Sequence, residues 1–287
     1  MKKLFIKIAL YSIGVLLTAI IMETTVLAST ISRNGVDLDT STASRGTLRL
    51  RYTDTGRPNL SLKLTDPSGT SYSFMNIRND GSFDVFPLTG GSGRYRVQIG
   101  RQTADGRWAQ VFNEEVNVTI ADPLAPFLQS NTRVNFDAAP RTVAKARELT
   151  AGRTQVVDQV AAVFYFLVEN FEYDFALAEA IMAGAIHHPV LDESLARGRG
   201  VCYDFAAIMV GMLRSQDIPS RLVFGFKGTV YHAWVDVYSE ESGWINSILQ
   251  LEGGEWRLLD PTIAATGGEE GMRLTNDRRN FSARFFF

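Results

Sequence analysis

Cysteine is almost absent from this sequence of 287 residues, in which Cys202 stands alone. One cysteine cannot form a disulfide within the chain, so the fold must be stable without one. Histidine is nearly as scarce, with three residues. A metal site would have to bring Cys202 together with His187 and His188 from an unrelated segment, which disfavours a metal-binding function. The sequence therefore predicts neither a metal nor a cofactor.

Positive charge is not in excess, because 29 lysines and arginines are balanced by 31 aspartates and glutamates. A chain with a net charge of −2 lacks the basic surface that binding to phosphate backbones requires. Nucleic acid is therefore not an expected partner.

The apolar run Ile8–Met22 is too short to span a bilayer, since a spanning helix needs about 20 residues. Lysines precede this run and the small Ala28 follows it, which is the order of a secretion signal. We therefore expect residues 1–28 to be a cleaved signal peptide and the protein to be secreted or held at the cell surface. An uncleaved membrane anchor is the alternative. No cysteine follows the run, which excludes a lipid-linked cysteine.

Residues 46–120 alternate between apolar and polar side chains, as in GTLRLRY, where Leu48, Leu50 and Tyr52 share one face. The turn sequences DPSG, NDG, GGSG and ADG separate the alternating segments at the spacing of a β-sandwich. For residues 29–122 we predict an all-β sandwich that resembles the immunoglobulin-like modules of secreted bacterial proteins. Such a module would serve as a spacer or bind a cell-surface partner.

The segment DPLAP, residues 122–126, marks a boundary because its two prolines disfavour helix and central strand. From Pro140 onward the apolar spacing is helical. Thr154 is a predicted N-cap for the helix in TQVVDQVAAVFYFLVENF. We assign residues 123–287 to a second domain.

The segment GRGVCYDFAAIMVGMLRSQ, residues 198–216, places Cys202 directly before apolar residues at helical spacing. The spacing predicts an amphipathic helix that buries Phe205, Ile208, Met209, Met212 and Leu213. Cys202 would lie in its first turn, where free N–H groups and the helix dipole favour a thiolate nucleophile. Asp204 is predicted to cap this helix and not to take part in catalysis.

A nucleophilic thiolate needs a base to carry the proton, most often a histidine. His232 lies in YHAWVDVY, whose alternation predicts a strand. His187 and His188 precede a proline in no regular pattern, so we expect a solvated loop pair. Asp236 shares the face of His232, but four residues along a strand span about 13 Å, which is too far for a hydrogen bond.

Asp260 is the better carboxylate to orient His232. The stretch GWINSILQLEGGEWRLLDPT contains two predicted strands joined by Gly253 and Gly254. If the second of these strands paired with the His232 strand, Asp260 could reach the imidazole. An aspartate before a proline is equally typical of a turn that closes a strand.

Together, GRGVCYDFAAIMVGMLRSQDIPSRLVFGF, YHAWVDVY and GEWRLLDPT resemble the transglutaminase-like core of the papain-like thiol enzymes. The resemblance covers roughly residues 150–265. It implies an α+β fold in which a helix bearing the cysteine packs on an antiparallel sheet. It also implies roles for Cys202 as nucleophile, His232 as general base and Asp260 as the residue that orients the histidine. Tyr173 is the nearest candidate for a side-chain donor to the oxyanion, although a core tyrosine is an equally good interpretation.

The resemblance implies a thiol enzyme that attacks a carboxamide or peptide carbonyl of a protein or peptide substrate. The acyl group would pass to an amine, which gives crosslinking, or to water, which gives hydrolysis as in a protease or amidase. The residues do not choose between these outcomes. The alternative is a catalytically silent transglutaminase-like domain that acts in adhesion or assembly.

Overall fold

The computed structural model describes residues 30–54, 58–245, 249–252, 255–258 and 281–287. The predicted signal peptide and Asp260 lie outside these residues. In the part of the chain that is described, no helix combines the length and the apolar character that crossing a membrane requires.

The N-terminal part of the described chain consists of strands joined by turns. Its strands are β1 (Thr30–Arg33), β2 (Val36–Asp39), β3 (Thr47–Tyr52), β4 (Leu60–Thr65), β5 (Ser71–Met75), β6 (Asp84–Pro87), β7 (Gly93–Gln102) and β8 (Trp108–Val118). They form two four-stranded antiparallel sheets, with the orders β1-β2-β3-β6 and β5-β4-β7-β8. The predicted alternation is confirmed in β3, where Leu48, Leu50 and Tyr52 are buried. Strand β5 lies at the edge of its sheet.

Helices and short strands follow the two sheets. The helices are α1 (Pro140–Thr150), α2 (Val156–Asn170), α3 (Phe175–Met182), α4 (Leu191–Arg197) and α5 (Cys202–Arg214). The strands are β9 (Glu172–Tyr173), β10 (Arg199–Gly200), β11 (Ser220–Lys227), β12 (Val230–Ser239), β13 (Gly243–Ile245), β14 (Leu249–Glu252), β15 (Glu255–Leu258) and β16 (Phe281–Phe286). Helix α1 starts at Pro140 as predicted, because proline fits the first helical position. Helix α2 has Gln155 at its N-cap and not Thr154.

Helix α5 is the centre of the C-terminal region. The sequence predicts one buried face, yet every residue from Tyr203 to Arg214 is buried. The prediction of an amphipathic helix was wrong because helices α1, α2 and α4 pack around α5 while strands β11 and β12 cover its remaining side. Only its first residue, Cys202, keeps partial exposure.

Strands β13, β12, β11 and β16 form the antiparallel sheet against α5, in that order. The described residues 281–287, FSARFFF, supply the edge strand β16, and they also close over the core because Phe287 is buried. Strands β14 and β15 pair with each other, as the two glycines between them predict. In the described residues they form a separate two-stranded sheet, so the expected pairing of β15 with the His232 strand is not present.

The buried guanidinium of Arg214 ties the end of α5 to the end of β16. It donates to the carbonyl oxygens of Ser220, Gln129 and Phe287 at 2.7–3.0 Å. Burial lowers the pKa of Arg214 to about 9, so these oxygens stabilise a cation that burial disfavours. The apolar periodicity of the helix could not have indicated a buried arginine at this position.

Gly225 allows β16 to approach β11 closely, and a side chain there should separate the two strands. A Cβ atom at this position would lie 2.2 Å from the carbonyl oxygen of Ser282 and 2.6 Å from the Trp234 ring. We expect Gly225→Ala to lower the free energy of unfolding by about 2 kcal/mol, measured by urea denaturation.

Gly100 in β7 provides the matched control, because its added Cβ would meet the side chain of Ser61 at 2.9 Å. A flexible side chain can move where backbone cannot, so Gly100→Ala should cost less than Gly225→Ala. Equal costs for the two variants would contradict the close approach of β16.

Candidate functional site

Cys202 is the first residue of α5, and the turn before it places its thiol at the surface. Gly198 ends α4 in the left-handed conformation, with φ of 62°, which glycine adopts without strain. Val201 is then extended, and the first intrahelical bond runs from the Phe205 N–H to the Val201 carbonyl at 3.2 Å. The chain therefore turns sharply into the helix with Cys202 at its open N-terminal end.

Cys202 opens into a cavity of about 450 Å³, which we call the thiol cleft. The start of α5, the first residues of β12, the edge strand β5 and residues near position 287 form its walls. His232 lines this same cleft. The structure thus brings two of the three predicted catalytic residues to one cavity from separate elements.

The position of His232 depends on the pairing of β12 with β11. His232 lies opposite Gly225, and the antiparallel register continues from Val230 to Val237. From Ala233 to Val237 both faces of β12 are buried, so the strand is fixed beyond His232. Because the register of a doubly buried strand is strongly specified, His232 is held at the cleft by the whole sheet.

Beneath Cys202, the side chain of Asp204 is completely buried and its carboxylate collects four hydrogen bonds. The backbone N–H of Val201 donates at 3.0 Å and the hydroxyl of Ser194 at 2.7 Å. The imidazole Nε2 of His187 lies 2.8 Å from Oδ2, and Arg197 donates to Oδ1 at 3.4 Å. Asp204 therefore caps α5, as the sequence predicts. Its hydrogen bonds also join α5 to α4 and to the loop that carries His187.

The hydrogen bonds keep Asp204 ionised despite its burial. Burial acts to raise the pKa of the carboxyl, but the bonds from His187, Ser194 and Val201 and the charge of His187 together outweigh burial, and the pKa lies below its ordinary value. Gly200 leaves room for this arrangement, since a Cβ there would lie 2.4 Å from the Cβ of Asp204.

The structure corrects the prediction of a solvated pair for His187, whereas much of His188 is exposed to solvent, as predicted. The side chain of His187 is 16% exposed and bonded to Asp204, and it lines the thiol cleft. His188 lies with Nδ1 3.3 Å from a guanidinium nitrogen of Arg133. Burial, followed by the charges of Arg133 and His187, lowers the pKa of His188. The contact between His187 and Asp204 joins residues 17 positions apart through a loop, and no periodic pattern in the sequence indicates it.

Tyr173 lies beside the turn that leads to Cys202, because β9 pairs with β10 and sets Tyr173 opposite Gly200. It is not among the residues that line the thiol cleft, and its ring contacts Phe175 with centroids 5.0 Å apart. Its role at the oxyanion stays a prediction, as does that of Asp260, which lies outside the described residues. Within the described chain, no three His, Cys, Asp or Glu side chains gather as metal ligands would.

Comparison with known proteins identifies the core that carries the thiol cleft. Residues 143–247 match the profile of the transglutaminase-like superfamily. These residues form a transglutaminase-like core. The match begins in α1 and ends after β13, so it contains both Cys202 and His232.

A curated relative shares part of this sequence. The uncharacterized protein YebA of Bacillus subtilis (strain 168) is 31% identical over 130 residues. That alignment covers 38% of this chain and 17% of the relative, so the chain spans less than a fifth of that protein. The activity of the whole protein is therefore a matter for proposal.

Solved structures show more distant likenesses. A Cytophaga hutchinsonii protein named as a candidate cysteine protease is 16% identical, with a TM-score of 0.41, and 82% of this chain aligns with 72% of it. The red sea bream transglutaminase is 13% identical, with a TM-score of 0.29, and 85% of this chain aligns with 54% of it. Likenesses at this level do not assign an activity to the transglutaminase-like core.

Replacing Asp204 with asparagine should weaken both the fold and the thiol site. The new side chain would place an amide donor among groups that already donate, so we expect Asp204→Asn to lose about 3 kcal/mol in the free energy of unfolding. The rate at which iodoacetamide alkylates Cys202 should change as well, because the start of α5 shifts. Urea denaturation and alkylation kinetics measure the two effects.

Asp192→Asn is the matched control for this variant. Asp192 accepts hydrogen bonds from the backbone N–H groups of Arg141 and Thr142 at 3.0 and 2.7 Å, so it caps α1 away from the cleft. This control should destabilise the fold and leave the alkylation rate unchanged. If the two variants alter the alkylation rate equally, Asp204 does not position Cys202.

The contribution of Asp204 to stability should depend on pH in the acid range. Because folding lowers the pKa of this carboxyl, its ionised form stabilises the fold above the ordinary value of 3.8. That contribution is lost as the pH falls below 3.8 and through the lower pKa of the folded state. The difference in unfolding free energy between the wild type and Asp204→Asn should therefore shrink in this range. A difference that stays constant as the solution is acidified would contradict the ionised state of Asp204.

Proposed function

We propose that this protein is a thiol enzyme that attacks a carboxamide or peptide carbonyl of a protein or peptide substrate. Cys202 is the proposed nucleophile, His232 the proton carrier, and Asp260 the residue that orients the histidine. The observation that carries this proposal is the shared cleft of Cys202, at the open end of a buried helix, and His232, on a fixed strand. The transglutaminase-like profile over the same residues supports it.

In the first half of the reaction, the Cys202 thiolate forms a bond to the carbonyl carbon and the carbonyl oxygen becomes an oxyanion. The N-terminal end of α5 offers backbone N–H groups for that oxyanion, because the first turn of a helix leaves its donors unpaired. The bond to nitrogen then breaks. The imidazolium of His232 gives its proton to the departing amine, which leaves a thioester on Cys202.

In the second half, a water molecule or an amine attacks the thioester. His232 removes a proton from the attacking group, and the bond between carbon and sulfur breaks to restore the thiolate. Water yields hydrolysis, whereas an amine yields a new amide bond. Aromatic side chains from β5, β11, β12 and the last residues of the chain line much of the cleft, including Tyr72, Phe224, Tyr231 and Phe287. An apolar lining of this kind excludes water and suits the acyl chain of a peptide.

For the rest of the chain, we propose that residues 1–28 direct export and that residues 29–122 form an immunoglobulin-like sandwich. The two four-stranded antiparallel sheets support the second part of this proposal. A sandwich beside the thiol cleft could hold a cell-surface partner near the nucleophile.

Alkylation of Cys202 tests the proposed pair of catalytic residues. Wild-type protein should react with iodoacetamide at neutral pH, because Cys202 lines an open cleft together with the imidazole of His232. His232→Gln should slow the reaction by about tenfold or more near neutral pH. A Cys202 that does not react in the folded protein would support a catalytically silent domain.

His188→Gln is the control for His232→Gln. It removes an imidazole that contacts Arg133 but does not line the thiol cleft. This control should retain most of the wild-type alkylation rate. Substrate turnover can then be followed with casein and a labelled primary amine, measuring ammonia release, label incorporation and peptide fragments together. Cys202→Ala should abolish whichever product the wild type forms.

A further inference from the structure

Arg133 forms part of the wall of the thiol cleft and is held there by several contacts. Its guanidinium donates to the carbonyl oxygen of Ser73 at 2.9 Å and lies 3.3 Å from Nδ1 of His188. It also stacks over the rings of Phe74 and Phe287, at 4.8 and 5.3 Å from their centroids. These contacts fix the direction of the side chain without neutralising its charge.

The charge of Arg133 has no acidic partner in the described part of the chain. Its hydrogen-bond partners are the backbone carbonyl of Ser73 and the imidazole of His188, and neither carries a negative charge. None of the described residues that line the cleft is an aspartate or a glutamate. The Nε of Arg133 is buried and has no hydrogen-bond partner in the described part of the chain, which indicates a use for the group outside the fold.

The field of Arg133 reaches the nucleophile's side of the cleft. Burial raises the pKa of the Tyr231 hydroxyl, the charge of Arg133 opposes that change, and the charge of Cys202 adds to it. Arg133 and Cys202 therefore both act on the hydroxyl of Tyr231, and all three residues line the cleft. A negative group of a bound substrate near Tyr231 would feel the same attraction to Arg133.

We propose that Arg133 makes the thiol cleft prefer substrates with a carboxylate close to the carbonyl that Cys202 attacks. This inference rests on the proposed function of the same cleft. The carboxylate could belong to an acidic side chain or to the C-terminal end of a peptide, and both sources share the chemistry that a guanidinium recognises.

Two small alkylating reagents test the preference without any knowledge of the natural substrate. Iodoacetate carries a carboxylate beside its reactive carbon, and iodoacetamide carries a neutral amide there. The ratio of their rate constants for Cys202, divided by the ratio for N-acetylcysteine, measures the attraction of the cleft for the carboxylate. At about pH 8, above the ordinary range of histidine titration, protonation of His188 does not replace a lost arginine charge.

Removing the charge of Arg133 should lower this normalised ratio by about three- to tenfold. The variants are Arg133→Gln and Arg133→Met, the second of which keeps an unbranched chain to pack on the rings. Arg133→Lys should retain most of the ratio. Arg147→Gln removes one charge from an exposed position on α1 and should leave the ratio unchanged.

The outcomes separate this inference from the proposed function. If Cys202 of the wild type reacts with neither reagent, the proposed function fails and the inference falls with it. If Cys202 reacts but a folded variant without the Arg133 charge keeps the wild-type ratio, the inference is wrong and the proposed function stands. Thermal denaturation followed by circular dichroism establishes which variants are folded.

Chloroacetyl peptides identify the source of the carboxylate. One tripeptide carries an internal glutamate and a C-terminal amide, a second carries glutamine and a free C-terminal carboxylate, and a third has glutamine and the amide. In the wild type, the peptide with the preferred carboxylate should alkylate Cys202 several-fold faster than the neutral peptide does. In Arg133→Gln, that difference in rate should disappear. Equal rates for all three peptides would overturn the preference.

Discussion

A buried carboxylate beneath the nucleophile is the constraint on which this site depends. Asp204 has no solvent exposure, and an unpaired charge in that position would cost several kcal/mol. Its four bonds come from the turn before α5, from α4 and from the loop that carries His187. Each of these segments must therefore adopt its place before Asp204 is satisfied, and together they fix the start of α5. The thiol of Cys202 is exposed at a defined point because the residue two positions later is so fully bonded.

The wall of the cleft that the sheet and Phe287 form is fixed by close backbone packing and not by a buried carboxylate. Strand β11 lies between β12 and β16, and the glycine at position 225 lets the edge strand approach it. The guanidinium of Arg214 joins the far end of α5 to the carbonyl of Phe287, whose ring lines the cleft. The same helix thus positions the nucleophile at its first residue and the opposite wall of the cleft at its last. A change at either end of α5 would alter the cleft as a whole.

Sequence patterns could predict the parts of this structure that depend on local spacing. Alternation located β3 and the His232 strand, and a proline marked the start of α1. The contact between His187 and Asp204 could not be predicted, because a loop brings these residues together and no periodicity describes a loop. The burial of α5 on every side was also missed, since the charge of Arg214 is satisfied by the distant carbonyl oxygens of Gln129 and Phe287. The pairing of β14 with β15 followed from the glycines between them, but their relation to the His232 strand depends on long-range packing.

Two charged side chains matter for the surroundings of Cys202. The carboxylate of Asp204 is bonded to donors within the fold, whereas the guanidinium of Arg133 has no acidic partner among the described residues. Asp204 lies inside, ionised, and both of its carboxylate oxygens accept hydrogen bonds from the fold. Arg133 lies in the wall of the cleft, where its guanidinium donates to the Ser73 carbonyl and stacks over the Phe74 ring. These contacts fix the orientation of the side chain but do not cancel its positive charge. A thiolate, a tetrahedral oxyanion and a substrate carboxylate are all anions, and each would lie in the cleft that Arg133 lines. Exchanging the two environments would give the same net charge and a cleft that repels every one of them.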